Sequence, residues 1–246
     1  MDERYLVDDE TSALAFADEL LANATSYFSN EPIIGWTLGA LVNEVEIQTA
    51  SVQGDSQMLK NGPNIQLMRA VIPVGGISAN QLYDFLISRE GYVFLDPDAN
   101  PDNFNEPFVG PFEWNTSKDT AGKVQVEYAS MKLPWPLSTR DYIILNAFDG
   151  ASKTFLSASC YSSQLNSGKS PYDDDSTTAV ASANGEIRMA MSGVYAVSEK
   201  DGRVVLEVAQ FVDMNGWTPS VFNNFANAAW FKTFIPRAQT KFPTSP

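Results

Sequence analysis

Apolar side chains recur along this chain in two periods, and the change between them lays out the elements. Leu14, Ala17, Leu20, Leu21, Ala24, Tyr27 and Phe28 repeat at helical spacing, which predicts an amphipathic helix from about Thr11 to Phe28. Asp8, Asp9 and Glu10 precede it, at the end where the helix dipole favours negative charge. From Trp36 the pattern turns to β-formers. Trp36–Gln48 and Ile65–Val74 read as strands, separated by the turn residues Gly54 and Asn61-Gly62-Pro63. Ser78-Ala79-Asn80-Gln81 has the capping-box spacing, so a short helix is expected over about Ala79–Ser88, followed by an irregular stretch, Asp96–Pro111. Six further strands are expected at Gly110–Asn115, Lys123–Lys132, Asp141–Asp149, Thr154–Gln164, Gly185–Val197 and Arg203–Asp213. Between the last two, Lys200-Asp201-Gly202 supplies the positive φ of a tight hairpin. The last element is a helix from about Pro219 to Phe234, which Pro236 should end or kink.

Many antiparallel strands and one long apolar helix at the end predict an α+β fold, a curved sheet wrapped around that helix. Such a sheet offers more inward apolar surface than a single helix covers, and the surplus can line a hollow. Met131, Met189 and Met191 are flexible side chains suited either to such a wall or to ordinary core packing. By alternation Glu127, Ala129 and Met131 share one strand face, and Lys132 on the other face prefers water, so the Glu127 face is expected inside. The final helix is apolar on two sides. Phe222, Phe225, Ala226 and Ala229 share one face, expected toward the hollow, while Trp230, Phe231 and Phe234 project to a neighbouring one. From Thr218 onward no acidic residue occurs, yet Lys232, Arg237 and Lys241 do. That makes Trp230, Phe231, Phe234 and Lys232 candidates for touching a membrane surface, with plain packing on the sheet as the alternative.

Charge and composition then narrow the function. The 246 residues carry 16 basic and 30 acidic side chains, a net charge of −14, which repels nucleic-acid phosphates. About half of that charge lies in Met1–Glu31. No histidine is present, which removes the usual general base near neutral pH and the commonest zinc ligand. Asp96-x-Asp98-x-Asn100 starts like a calcium loop, but Pro101 and Pro107 stand where Gly and Glu are needed. Asp173-Asp174-Asp175 reads as a solvated loop. No metal or cofactor is expected. The single cysteine, Cys160, cannot form an internal disulfide, no run reaches a membrane span, and Met1-Asp2-Glu3-Arg4 is unlike a secretory signal, so the expected location is cytoplasmic.

The most specific stretch is Lys132-Leu133-Pro134-Trp135-Pro136-Leu137-Ser138-Thr139-Arg140-Asp141-Tyr142. Neither proline fits inside a sheet ladder, so Trp135 sits at the tip of an excursion between two strands, where an adjacent Arg140–Asp141 ion pair can pin the loop. This motif resembles the centre of the START family, the lipid-transfer domains related to the steroidogenic acute regulatory protein and phosphatidylcholine transfer protein. Asp213-Met214-Asn215-Gly216-Trp217-Thr218-Pro219, followed by a long helix, is similar to the family's closing motif. The resemblance implies a helix-grip fold with a hydrophobic cavity, one lipid-binding domain over residues 31–246, and residues 1–30 as an acidic segment with a helix packed on it. It implies a monomer that binds one lipid (a sterol, sphingolipid, acylglycerol or phospholipid) and moves it between membranes without chemistry, docking transiently, in part through Trp135.

Sterol-binding members of the family carry a buried Glu–Arg pair. Glu127 stands in the place of the Glu, but Asn146 stands where the Arg is expected. Burial beside an amide alone should raise the Glu127 pKa and suit a hydroxyl or amide head group. The ligand-binding expectation is therefore Glu127, Met131, Asn146, Met189, Met191, Phe222 and Phe225. Two alternatives remain open: a module that senses a lipid for a protein partner, and an enzyme built on the same cavity with Glu127 as acid or base.

Overall fold

A computed structural model of the chain describes residues 6–28, 35–51, 66–97, 107, 109–117, 120–131, 140–160, 187–214 and 220–244. The element order is α1 (Glu10–Phe28), β1 (Thr37–Val42), β2 (Val45–Ser51), β3 (Gln66–Val74), α2 (Ala79–Leu86), α3 (Arg89–Leu95), β4 (Val109–Ser117), β5 (Thr120–Met131), β6 (Arg140–Asp149), β7 (Thr154–Ser159), β8 (Ile187–Arg188), β9 (Ala190–Lys200), β10 (Arg203–Asp213) and α4 (Ser220–Lys241). The strands form one curved sheet in the order β1-β2-β3-β10-β9-β7-β6-β5-β4, antiparallel throughout, with the two-residue β8 added in parallel to β6.

The two faces of the sheet carry two cores. On one face α1 buries Ala13, Phe16, Ala17 and Leu20 against Val124, Val126, Ile143 and Leu145. Trp114 of β4 closes this layer, its indole Nε1 donating to Asp18 of α1 at 2.8 Å. On the other face α2, α3 and α4 pack over β2, β3, β9 and β10, with Phe231, Phe234, Ile235 and Ala238 fully buried. The middle strands are therefore buried on both faces. β7, whose six residues are all buried, shows this best.

Local chemistry accounts for the element ends. The Ser78 hydroxyl accepts from the Gln81 amide while the Gln81 side chain accepts from the Ser78 N–H, closing the expected capping box of α2. Asp201 and Gly202 take positive φ between β9 and β10, as read from the sequence. A second tight hairpin was not read: Trp36–Gln48 is two strands, reversed at Asn43 and Glu44, both at positive φ. Neither residue is the glycine that usually marks such a turn. The helix α3 was likewise not foreseen. It follows α2 after a sharp elbow at Ser88, whose hydroxyl caps it by accepting from Gly91 N at 3.1 Å. Gly91 is needed there, because a Cβ would press into the Phe85 carbonyl oxygen.

The final helix departs most from expectation. It runs through Pro236 to Lys241 instead of ending near Phe234. Proline at that position leaves the carbonyl of Lys232, one turn earlier, without its helical partner. Lys232 is exposed, so water reaches the solvent side of the helix where the bond is lost.

Candidate functional site

Beneath α4 the sheet and helix do not close on each other. A hollow of about 520 Å³ lies between the underside of α4, the C-terminal end of α3 and strands β9 and β10. Its walls are mostly apolar: Leu95, Met189, Met191, Val212, Ala229 and Trp230 among them. A smaller chamber of about 60 Å³ continues it toward β6 and β7, sharing Leu95, Asp96, Met191 and Tyr195 and adding Tyr142, Ile144, Asn146 and Ser157. Phe148, Phe155 and Tyr195 stack across adjacent strands with centroids 5.0 and 5.3 Å apart. This row walls the hollow off from an open outer groove of about 450 Å³ beside α2, onto which Phe148 faces.

Polar groups are set into the apolar wall at two places. Near the helix, Asn227 of α4 is buried and donates to the Gln210 carbonyl at 3.1 Å, while the Gln210 side chain donates to Asn227 Oδ1 at 3.0 Å. Tyr195 completes the chain by donating to Gln210 Oε1 at 3.1 Å. At the mouth, Leu95 O at the end of α3 accepts from Trp230 Nε1 at 3.1 Å and from an Arg237 nitrogen at 3.4 Å, which ties α4 to α3. Arg140 is buried in the wall, its Nε donating to the Met214 carbonyl at 2.7 Å. The loop-pinning pair expected with its neighbour Asp141 involves a side chain that lies outside the described residues.

On β5, Gln125 and Glu127 are 0% and 1% exposed and line neither space. The Gln125 amide nitrogen donates to Glu127 Oε1. Burial pushes the Glu127 carboxyl above the usual glutamate range, and the Gln125 and Asn146 amides and the Lys123 ammonium oppose this only in part. The Tyr92 and Tyr142 hydroxyls bond to each other nearby. Burial raises Tyr92 to about 12 and Tyr142 well above the ordinary phenol range. Asn146 Oδ1 accepts from Ser157 Oγ at 2.6 Å.

Of the residues singled out from sequence, Met189 and Met191 line the hollow, Asn146 lines its deep chamber, and Glu127 lies in the same layer. The side chains of Met131 and Phe222, and the whole of Trp135, are outside the described residues, as is the Asp173–Asp175 run. The two faces assigned to α4 need correction. Phe225 points to solvent, 70% exposed, not into the hollow. Phe231 and Phe234, expected at a membrane, are 0% exposed and fill the core against β3 and β10. Trp230 is half-buried in the wall of the hollow, stacked on Phe234 at a centroid distance of 4.3 Å. The reason is rotational. Phe231, Phe234, Ile235 and Ala238 form one buried stripe, Ala226, Ala229, Trp230 and Thr233 face the hollow about a third of a turn away, and Phe225 and Lys232, seven residues apart, share the outer face.

Arg140, Tyr195, Gln210 and Asn227 were not anticipated. Only Gln125 had a legible signal, its i, i+2 spacing from Glu127. Among the described residues no group of three or more His, Cys, Asp or Glu side chains is placed to hold a metal, and no helix is long and apolar enough to cross a membrane.

Comparison with known proteins agrees with this geometry. No family model and no curated protein matches the sequence. Among solved structures, human StAR-related lipid transfer protein 5 superposes with a TM-score of 0.54 at 14% identity, over 94% of each chain. Human STARD10 gives 0.53 at 18% identity, over 98% of this chain and 84% of that one. A STAR-related lipid transfer protein from Xanthomonas axonopodis gives 0.51 at 15% identity, over 84% of this chain and 98% of that one. At such identities the likeness concerns the backbone alone, and it leads to one conclusion: this chain has the helix-grip fold of the START-related lipid-transfer proteins.

Proposed function

We propose that the chain binds one lipid in the hollow beneath α4 and carries it between membranes without covalent chemistry. The observation that carries this reading is the hollow itself: about 520 Å³ of mostly apolar space under a helix, within the size range of small-molecule sites. Two of the structural neighbours are named as lipid transfer proteins, which supports the same ligand class for this chain. The absence of histidine from the sequence disfavours acid–base catalysis near neutral pH.

In this reading α4 is the lid, and its outer face, with Phe225 and Lys232, meets the membrane while Trp135 contacts it from the loop. The chain works as a cytoplasmic monomer, touching membranes only transiently. Residues 31–246 form the binding domain, and α1, after its acidic leader, braces the sheet from behind. The test is native mass spectrometry of protein purified from cells, with extraction of the bound lipid, followed by liposome-to-liposome transfer. One lipid per chain and accelerated exchange are expected. A lipid-bound protein that leaves exchange unaccelerated would identify a sensor instead. Transfer left unchanged by a Trp135→Ala, Phe225→Ser double substitution would eliminate the proposed membrane contact.

A further inference from the structure

Helix α1 packs chiefly on β4 to β7, and among the described residues the far end of that sheet face, on β1, β2 and β3, has no helix over it. Three of the four large apolar side chains exposed among the described residues lie there: Leu38 and Leu41 of β1, 65% and 66% exposed, and Val71 of β3, 40% exposed. The register puts them on one face. Leu38 and Leu41 pair with Gln48 and Glu46 of β2, and Gln48 pairs with Arg69, two residues before Val71. Leucines three residues apart on a regular strand point to opposite faces. The register shift at Gly39 resets the alternation and turns both outward. The two edges of the sheet also differ. β4, at one end, carries Pro111, the exposed Glu113 and two register shifts, features that keep a strand from pairing with another chain. β1, at the other end, has neither a charge nor a proline, and the backbone groups of its alternate residues turn away from β2. Beside it Glu44 and Glu46 are exposed.

We propose that the β1 edge docks an extended, basic segment of a protein partner. The segment adds to the sheet as a further strand, sets apolar side chains against Leu38 and Leu41, and brings a lysine or arginine within reach of Glu44 and Glu46. This is independent of the lipid-binding reading. Backbone pairing supplies the affinity, and alternate side chains supply the selectivity. Charge identifies the occupant. A second copy brings another net charge of −14 and another Glu44 and Glu46 to the same patch, so like charges oppose self-pairing. An anionic lipid surface is repelled for the same reason, whereas a basic strand is attracted. Position matters too. Leu38 and Leu41 lie on the opposite side of the sheet from α4, which shares its core with Val45, Ile47 and Met68. A bound partner therefore leaves α4 uncovered.

The test uses the full chain and a fluorescein-labelled peptide of alternating valine and threonine with a lysine at each end, followed by fluorescence anisotropy. Saturable binding is expected. N-methylation of the peptide's amides should weaken it about tenfold, the scale of one or two backbone hydrogen bonds. Glutamates in place of the lysines should weaken it by a similar factor. A Leu38→Ser, Leu41→Ser double substitution should also weaken it while leaving urea unfolding unchanged, since both side chains are exposed. Binding indifferent to N-methylation, binding that favours the glutamate peptide, or no saturation at about 1 mM peptide would overturn the proposal. A dimer in sedimentation that the serine variant dissolves would overturn it in favour of a second copy. Binding to phosphatidylcholine–phosphatidylserine vesicles that the serine variant loses would overturn it in favour of a membrane. The peptide comparisons on the wild-type chain stand even if the serine variant does not fold.

Discussion

Replacing Glu127 by Gln isolates the most unusual charge in the molecule. The carboxyl is 1% exposed, keeps one oxygen unpaired, and is raised from an ordinary value of 4.5 by burial. The unfolded chain loses this proton near pH 4.5, whereas the folded chain retains it to higher pH. Between those two points the unfolded state binds fewer protons, so stability falls as pH rises. Each unit by which the folded value is raised costs about 1.4 kcal/mol once both forms are ionised. Glutamine mimics the protonated acid and does not titrate. The variant should match wild type near pH 4 and, by pH 8, exceed it by about 1.4 kcal/mol for each unit of that rise. Urea unfolding at several pH values between 4 and 8, on both proteins, measures this. Every other titrating group cancels in the difference. Parallel stability curves across that window would show that Glu127 is not carrying a buried, disfavoured charge.

Other expectations follow from the helix faces and the packing. Phe234→Ala empties a fully buried ring site and should cost about 3–5 kcal/mol, lowering Tm by roughly 10 °C in calorimetry. Phe225→Ser, nine residues earlier on the same helix but 70% exposed, should change stability by no more than about 0.5 kcal/mol. Ala229→Trp adds an indole to the wall of the hollow, and native mass spectrometry should then find the chain lipid-free with its Tm maintained. Gly91→Ala pushes a methyl group into the Phe85 carbonyl and should destabilise by about 1–3 kcal/mol in denaturant titration.

Most of the strands, the capped helix α2 and the turn at Asp201-Gly202 were legible because each depends on near neighbours: alternation, a capping pair, a residue tolerant of positive φ. The hairpin at Asn43-Glu44 was not, since its residues lack the usual glycine and the sheet imposes the turn. Helix α3 was missed for a related reason. Its seven residues are too few to show a period, and packing on α2 through Gly91 holds them.

The candidate site divides in the same way. Alternation along β5 determined that Glu127 is turned inward, and the family resemblance put Asn146 where a cationic partner is expected. Tertiary structure alone decided which way α4 is turned, placing Phe231 and Phe234 in the core, Trp230 against the hollow and Phe225 in solvent. It also decided that Arg140, Gln210 and Asn227, from three separate elements, meet around one space. Periodicity along a helix fixes which residues share a face, because that depends only on the pitch of one segment. Which face meets the sheet depends on the volumes of side chains distant in sequence, and no local pattern contains that sum.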